Sequence, residues 1–126
     1  HKTELEAHIR EGIPLARSAD FRILQLTENS VVVRGGANEN INVHGTAFAG
    51  SLYVMCTLAS WGLIYSRIPT GTTLVMADAQ IKYRSPVMGD ICAQATLEPA
   101  SLEAFLNTLS PVSYTHLRAH ETSLHL

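Results

Sequence analysis

From Thr46 to Ser66 the chain carries no charged residue, and strand-like segments lie on both sides of that run. A helix that is apolar nearly all round has no solvent face, so it must be enclosed by something. A membrane is one candidate, because the run is long enough to span one. Against it, Gly50, Ser51, Thr57, Ser60 and Gly62 dilute the hydropathy, and no lysine or arginine cluster marks a flank. The sequence therefore favours burial in protein and no membrane. The expected fold class is α+β, a curved antiparallel sheet wrapped around one long central helix, with the chemistry at the helix's N-terminal mouth.

The rest of the composition fits such a core. Hydrophobic residues make up 46% and charged ones 16% of 126 residues, enough for one domain with a sizeable interior. A formal net charge of -2 gives no basic footprint, so no nucleic acid is expected as a partner. Cys56 and Cys92 are both expected to be buried, reduced thiols, as in a cytoplasmic protein. No signal peptide is visible, and the chain opens on His1 and not on Met, as a fragment would.

Taken in order, Thr3 and Glu6 have the spacing of a capping box, with Leu5, Ile9 and Ile13 following at helical intervals. Gly12 and Pro14 end that helix, and Pro14 can open a short second one. Phe21–Leu26 and Val31–Arg34 read as a hairpin about Thr27–Ser30. Gly35-Gly36 then releases the chain into an Asn-rich loop, where Asn38 and Asn40 read as turn residues. After Pro69-Thr70-Gly71, the stretch from Leu74 to Ser85 alternates as one long strand. Ile91–Glu98 alternates as another, and Ser101 reads as the N-cap of a helix carrying Leu102, Phe105, Leu106 and Leu109.

The pattern stops at Pro111. Residues 112–123 resemble a peptide known from translated sequencing-adaptor read-through, so the chain divides into a domain over 1–110 and a non-native tail over 111–126. His116, His120 and Glu121 have the spacing of metal ligands on one helix face. No third ligand or scaffold accompanies them, so no metal is expected.

At the mouth of the central helix the first N–H groups lack intrahelical partners, and the dipole is positive. Gly50 and Ser51 lie there, and Gly50 would let a ligand approach the backbone. Such a site suits a carbonyl whose oxygen gains negative charge during attack. Asn42 is a candidate to orient a carbonyl or a water. Asp78 and His44 are candidate bases. Each has a plainer alternative: Asp78 pairing with Lys82 or Arg84, His44 solvated in its loop, and small residues from Thr46 to Ser51 serving only close packing. No nucleophile elbow, P-loop or dinucleotide fingerprint is present.

The segments from Asn40 to Leu52, from Leu58 to Gly62 and from Ala77 to Tyr83 resemble the thioesterase domain found at the C-terminus of YiiD-type proteins. The resemblance covers Ile13 to about Leu109. It implies a hotdog fold, a homodimer or larger oligomer with sites between subunits, and coenzyme A or acyl-carrier-protein thioesters as ligands with no other cofactor. In some relatives an acetyltransferase domain is fused. Further strands would follow Leu109, so a chain with a foreign tail is C-terminally truncated. Phenylacetyl-CoA-type hotdog thioesterases place an Asn before a His-Gly-Gly helix start and an Asp two turns on. Asn42 and Gly50 match the Asn and the second Gly. Phe48 and Ala49 replace the His and first Gly, and Thr57 stands in place of the Asp.

The expected site is therefore Asn42, His44, Gly50, Thr57 and Asp78 for catalysis, with Thr46, Phe48, Ser51 and Tyr83 against the substrate. The expected activity is acyl-thioester hydrolysis. The alternative is a module that binds an acyl thioester, or dimerises, without cleaving it.

Overall fold

The structure is a computed structural model that describes residues 1–109, 114–117 and 122–125. Helix α1 (Lys2–Gly12) buries Leu5 and Ile9 and ends at Ile13, whose extended backbone lets Pro14 start α2 (Pro14–Ser18). The capping box does not form. His1 is the N-cap, and Glu6 instead accepts a hydrogen bond from Ile23 N–H at 2.7 Å and lies 3.6 Å from Arg22. A carboxylate one turn into the helix is thus used to seat the first strand.

Strands β1 (Arg22–Leu26) and β2 (Ser30–Gly35) form the expected hairpin, with an irregularity between Ile23 and Gln25. Strand β4 (Ile91–Leu97) pairs antiparallel with β2 through six residues, from Ser30↔Thr96 to Gly35↔Ile91. Alternation sends Val31, Val33, Ile91, Ala93, Ala95 and Leu97 to one face, and all six are buried. The same alternation turns Cys92 outward. It is exposed, and the expectation of two buried thiols holds only for Cys56.

That buried face receives α3 (Ala49–Tyr65), the central helix. Leu52, Met55, Cys56, Leu58, Ala59, Leu63 and Ile64 are buried along it. On its far side α1 packs at close range. A Cβ on Gly62 would sit 3.1 Å from Ile9 Cδ1, so the missing side chain sets how near the two helices come. His8 stacks on Tyr65 at 4.9 Å, and Tyr65 on Trp61 at 4.7 Å. Among the described residues no helix is long and apolar enough to cross a membrane.

The long strand expected over Leu74–Ser85 is much shorter. Strand β3 is Thr73–Met76, and residues 77–84 run on without ladder partners among the described residues. Alternation shows what a sequence can prepare, but a strand needs a neighbour to bond. Helix α4 (Pro99–Leu106) starts earlier than expected, with Glu98 as N-cap and Pro99 at the first position, so Ser101 is inside it.

Two strands lie beyond Pro111, where no element was expected. β5 (Tyr114–Leu117) runs parallel to β3, and β6 (Thr122–His125) antiparallel to β4, giving sheets ordered β1-β2-β4-β6 and β3-β5. Open strand edges present N–H and C=O groups to any extended chain beside them. His120 and Glu121 of the spacing noted above lie outside the described residues.

Candidate functional site

The route into α3 is a tightly bonded loop. Phe48 N–H donates to Asn40 O at 2.7 Å, Asn42 N–H to Thr46 O at 2.8 Å and Gly45 N–H to Asn42 O at 3.1 Å. Gly45 takes φ +82°, a left-handed conformation that glycine adopts without strain. Ala47 N–H donates to Val87 O at 2.9 Å and fastens the loop to the segment before β4.

Asn42 spends its amide inside this loop. Its Oδ1 accepts from His44 N–H at 2.8 Å and Thr46 N–H at 3.1 Å. Its Nδ2 donates to Thr46 Oγ1 at 2.8 Å and Ala47 O at 3.3 Å. An amide offers two donors and two acceptor sites, so little is left to orient a carbonyl or water. The geometry gives Asn42 the task of shaping the mouth. His44 is exposed, and its backbone N–H makes the bond just described.

Asn40 was read from the sequence only as a turn residue, and it is the fixed point of the loop. It is 3% exposed, and its Nδ2 donates to Ala19 O at 2.8 Å and Gly36 O at 2.7 Å. Arg34 and Asp90 support the same corner. Arg34 bonds Asp90 at 2.8 Å and Asp20 at 3.1 Å, and Asp90 also accepts from Ala37 N–H at 2.8 Å. Arg34 and then the Ala37 amide hold the Asp90 carboxyl below its ordinary range.

At the helix start Phe48 occupies the N-cap position without a capping side chain. The first turn's bond is Leu52 N–H to Phe48 O at 3.1 Å, so the N–H groups of Ala49, Gly50 and Ser51 precede the helical ladder. The space beside Gly50 is not simply open to a ligand as expected. A Cβ there would lie 2.5 Å from Cε2 of Phe48, so any side chain at position 50 would displace that exposed ring. Tyr83 O–H donates to Ala49 O at 3.1 Å and bridges the mouth to the segment after β3. Tyr83 is thus brought from a distant part of the sequence to the short run from Thr46 to Ser51 that opens α3.

One turn further along α3 a small cleft of about 20 Å³, room for one water and partly open to solvent, lies between the helix and the unpaired segment. Tyr53, Cys56, Thr57 and Ser60 form the helix wall, a single stripe at i, i+3, i+4 and i+7. Met76, Ala79, Gln80 and Ile81 form the other wall. Thr57 is therefore in the cleft. Asp78 is exposed and does not line it, and among the described residues it forms no ion pair with Lys82 or Arg84. Gln80 was missed from the sequence, as were Tyr53 and Ser60. The available signal was the run of polar atoms that Tyr53, Thr57 and Ser60 place on one side of an otherwise apolar helix.

Burial pushes the Cys56 thiol up to about 11. It therefore stays protonated at neutral pH and is a poor nucleophile. Native protein at pH 7.5 is expected to take up one equivalent of a thiol-reactive dye, at Cys92, and the second only when unfolded. Two rapid equivalents in the native state would contradict the burial of Cys56. Because folding raises this pKa, the group's contribution to stability is complete below 9.0 and declines as pH rises towards 11.

An antiparallel sheet embracing a long helix is the hotdog architecture. The chain belongs to the family described as "Putative thioesterase (yiiD_Cterm)", whose model matches residues 2–121. It is similar to the structure of a "putative thioesterase" from Shewanella oneidensis, at 28% identity over 79% of this chain and 74% of that one, with a TM-score of 0.70. A protein from Chlorobaculum tepidum shares the fold at 23% identity and TM-score 0.71, covering 84% of this chain and 68% of that chain. A Pseudomonas aeruginosa protein described as a "Probable Thioesterase" shares it at 23% identity and TM-score 0.66, covering 83% and 72%.

Proposed function

We propose that this chain hydrolyses an acyl thioester of coenzyme A or an acyl-carrier protein, as a homodimer or larger oligomer. The observation that carries this is the apolar cleft beside α3, one turn in from the helix N-terminus, lined by Thr57 and Gln80. The acyl group lies over the cleft, and the thioester oxygen faces the helix N-terminus, where partial positive charge stabilises the developing oxyanion. Water held by the Thr57 hydroxyl and the Gln80 amide attacks the carbonyl carbon. The C–S bond breaks, and the thiolate leaves as a thiol once it is protonated. Asp78, two residues before Gln80, is the proposed acceptor of the water's proton. Val75, Met76, Tyr83 and Met88 are exposed apolar side chains around this segment, which supports a second copy covering it.

A thiol-trapping assay over an acyl-coenzyme A panel tests this. Asp78→Asn is expected to lower kcat by about 10²- to 10⁴-fold, the usual contribution of a general base. Full activity in that variant would remove Asp78 from the mechanism.

One observation favours the binding-module reading. Among the described residues no carboxylate or imidazole lines the cleft. Saturable binding of acyl thioesters with no turnover by the unsubstituted chain would establish that reading instead.

A further inference from the structure

We propose that a cavity at the C-terminal end of α3 binds a small organic ammonium ion, apart from the thioester site. The cavity holds about 390 Å³, partly open to solvent, which is the size of a small-molecule pocket. Three parts of the chain wall it. Glu4 and His8 come from one face of α1, a turn apart. Tyr65 and Ser66 come from the end of α3, and Thr70 and Thr72 from the loop that leads to β3. Along α3 this is the far end from the mouth, roughly 24 Å away at 1.5 Å per residue.

The fold leaves most of the polar groups on this wall unused. The side chains of Glu4, His8, Tyr65, Thr70 and Thr72 make no hydrogen bond or ion pair with any described residue. Only Ser66 spends its hydroxyl, on Leu63 O. Thr72 is 7% exposed, and its buried Oγ1 has no partner among the described residues. Buried hydroxyls are normally paired, so this one calls for a partner beyond its own fold. Tyr65 has Trp61 stacked at 4.7 Å on one face and His8 at 4.9 Å on the other. It is held rigid and can present its edge and hydroxyl, not a face.

The charge pattern favours a cation. Glu4 is the one carboxylate among the described wall residues. The end of α3 carries the negative pole of its dipole, and no basic residue stands in its last turn. Lys2 and Arg67 line a neighbouring groove instead of this cavity. The opposing charges are the α-amino group of His1 and the positive end of α1, which Glu4 offsets from its first turn. An ammonium has donors only, and the Glu4 carboxylate, the Tyr65 phenol and the threonine hydroxyls all accept.

The test is titration of the isotopically labelled full chain with n-butylammonium, read by backbone amide NMR. 1-Butanol and butyrate serve as neutral and anionic probes of the same length. Saturable shifts are expected at Ser66, Gly71 and Thr72 with the ammonium, and binding weaker by about fivefold or more with the other two probes. Glu4→Gln, at an exposed position, should weaken the ammonium by a similar factor. Thr72→Val deletes the unpaired hydroxyl, so it should weaken binding while leaving resistance to urea no lower. Acetylating the His1 α-amino group removes the opposing charge and should tighten binding. No saturable shift at these residues overturns the site. Equal binding of 1-butanol, or a Glu4→Gln chain that binds the ammonium as well as the parent, overturns it too. None of these readouts involves thioester turnover, so the ammonium site and the hydrolase reading fail separately.

Discussion

Asn40→Asp is expected to lower unfolding stability by more than about 3 kcal/mol, a large share of the roughly 5–15 kcal/mol typical of a domain. The Asn40 amide donates to two buried carbonyls, Ala19 O and Gly36 O. Ala19 O keeps a second donor, Gly36 N–H at 3.2 Å, whereas Gly36 O loses its bond from Nδ2. Leaving one buried acceptor unpaired costs about 1–3 kcal/mol. A carboxylate adds to this a desolvated charge facing carbonyl oxygens. The protonated acid can still donate one bond, so folding raises the carboxyl pKa of the variant. Its deficit should therefore be smallest below the ordinary carboxylate pKa and grow as pH rises. Asn40→Ala lacks that pH dependence and should lose about 2–3 kcal/mol. Urea unfolding at pH 3.5 and pH 7 separates the two variants. Equal losses at both pH values in the Asp variant would show that the side chain is not held against these carbonyls. The effect should reach the mouth as well, because the backbone oxygen of Asn40 anchors Phe48 at the start of α3.

In a chain already carrying Asp78→Asn, Thr57→Asp is expected to raise kcat for thioester hydrolysis by about 10²-fold, at the low end of what a well-placed general base contributes. Thr57 already lines the cleft, between Tyr53 and Ser60 on the helix stripe. Its hydroxyl can hold a water but cannot take a proton from it at neutral pH. A carboxylate at the same position can do both. The apolar walls should lift that carboxyl's pKa, so the gain should appear only as pH rises through a value above the usual carboxylate range. Stability should fall modestly, since position 57 is half-buried and not sealed from water. The pH profile of kcat distinguishes this from a general disturbance of the site. An unchanged rate, with thioester binding intact, would place the reacting carbonyl away from residue 57.

Much of the fold was legible because it depends on local periodicity. The apolar run fixed a buried helix, and period-two alternation fixed which faces of β2 and β4 point inward, down to Val31, Val33, Ala93 and Ala95. Cys92 shows the limit of reading residue type instead of position. Cysteine is often buried, but an outward register decides otherwise. Glu6 and Ser101 show another limit. Each matched a local capping pattern, and each lost it to a partner or neighbour that the pattern could not include. Glu6 was taken by Ile23 N–H, and Ser101 was enclosed by a helix that Pro99 had already begun.

The proposed site was legible as a stretch of chain but not as an arrangement. By itself the sequence pointed to the start of α3 as the expected site, because an uncharged helix begins there with N–H groups that precede its ladder, beside small residues. Only the tertiary structure decided what each residue does there. Asn42 is spent on its own loop, Asn40 holds hairpin and helix together, and Asp78 lies off the wall that Gln80 joins. The cause is sequence separation. Hydrogen bonds between residues a few positions apart follow from local geometry. Tyr83 reaching Ala49, or Trp61 closing on Leu74, depends on how a segment without ladder partners lies against the helix.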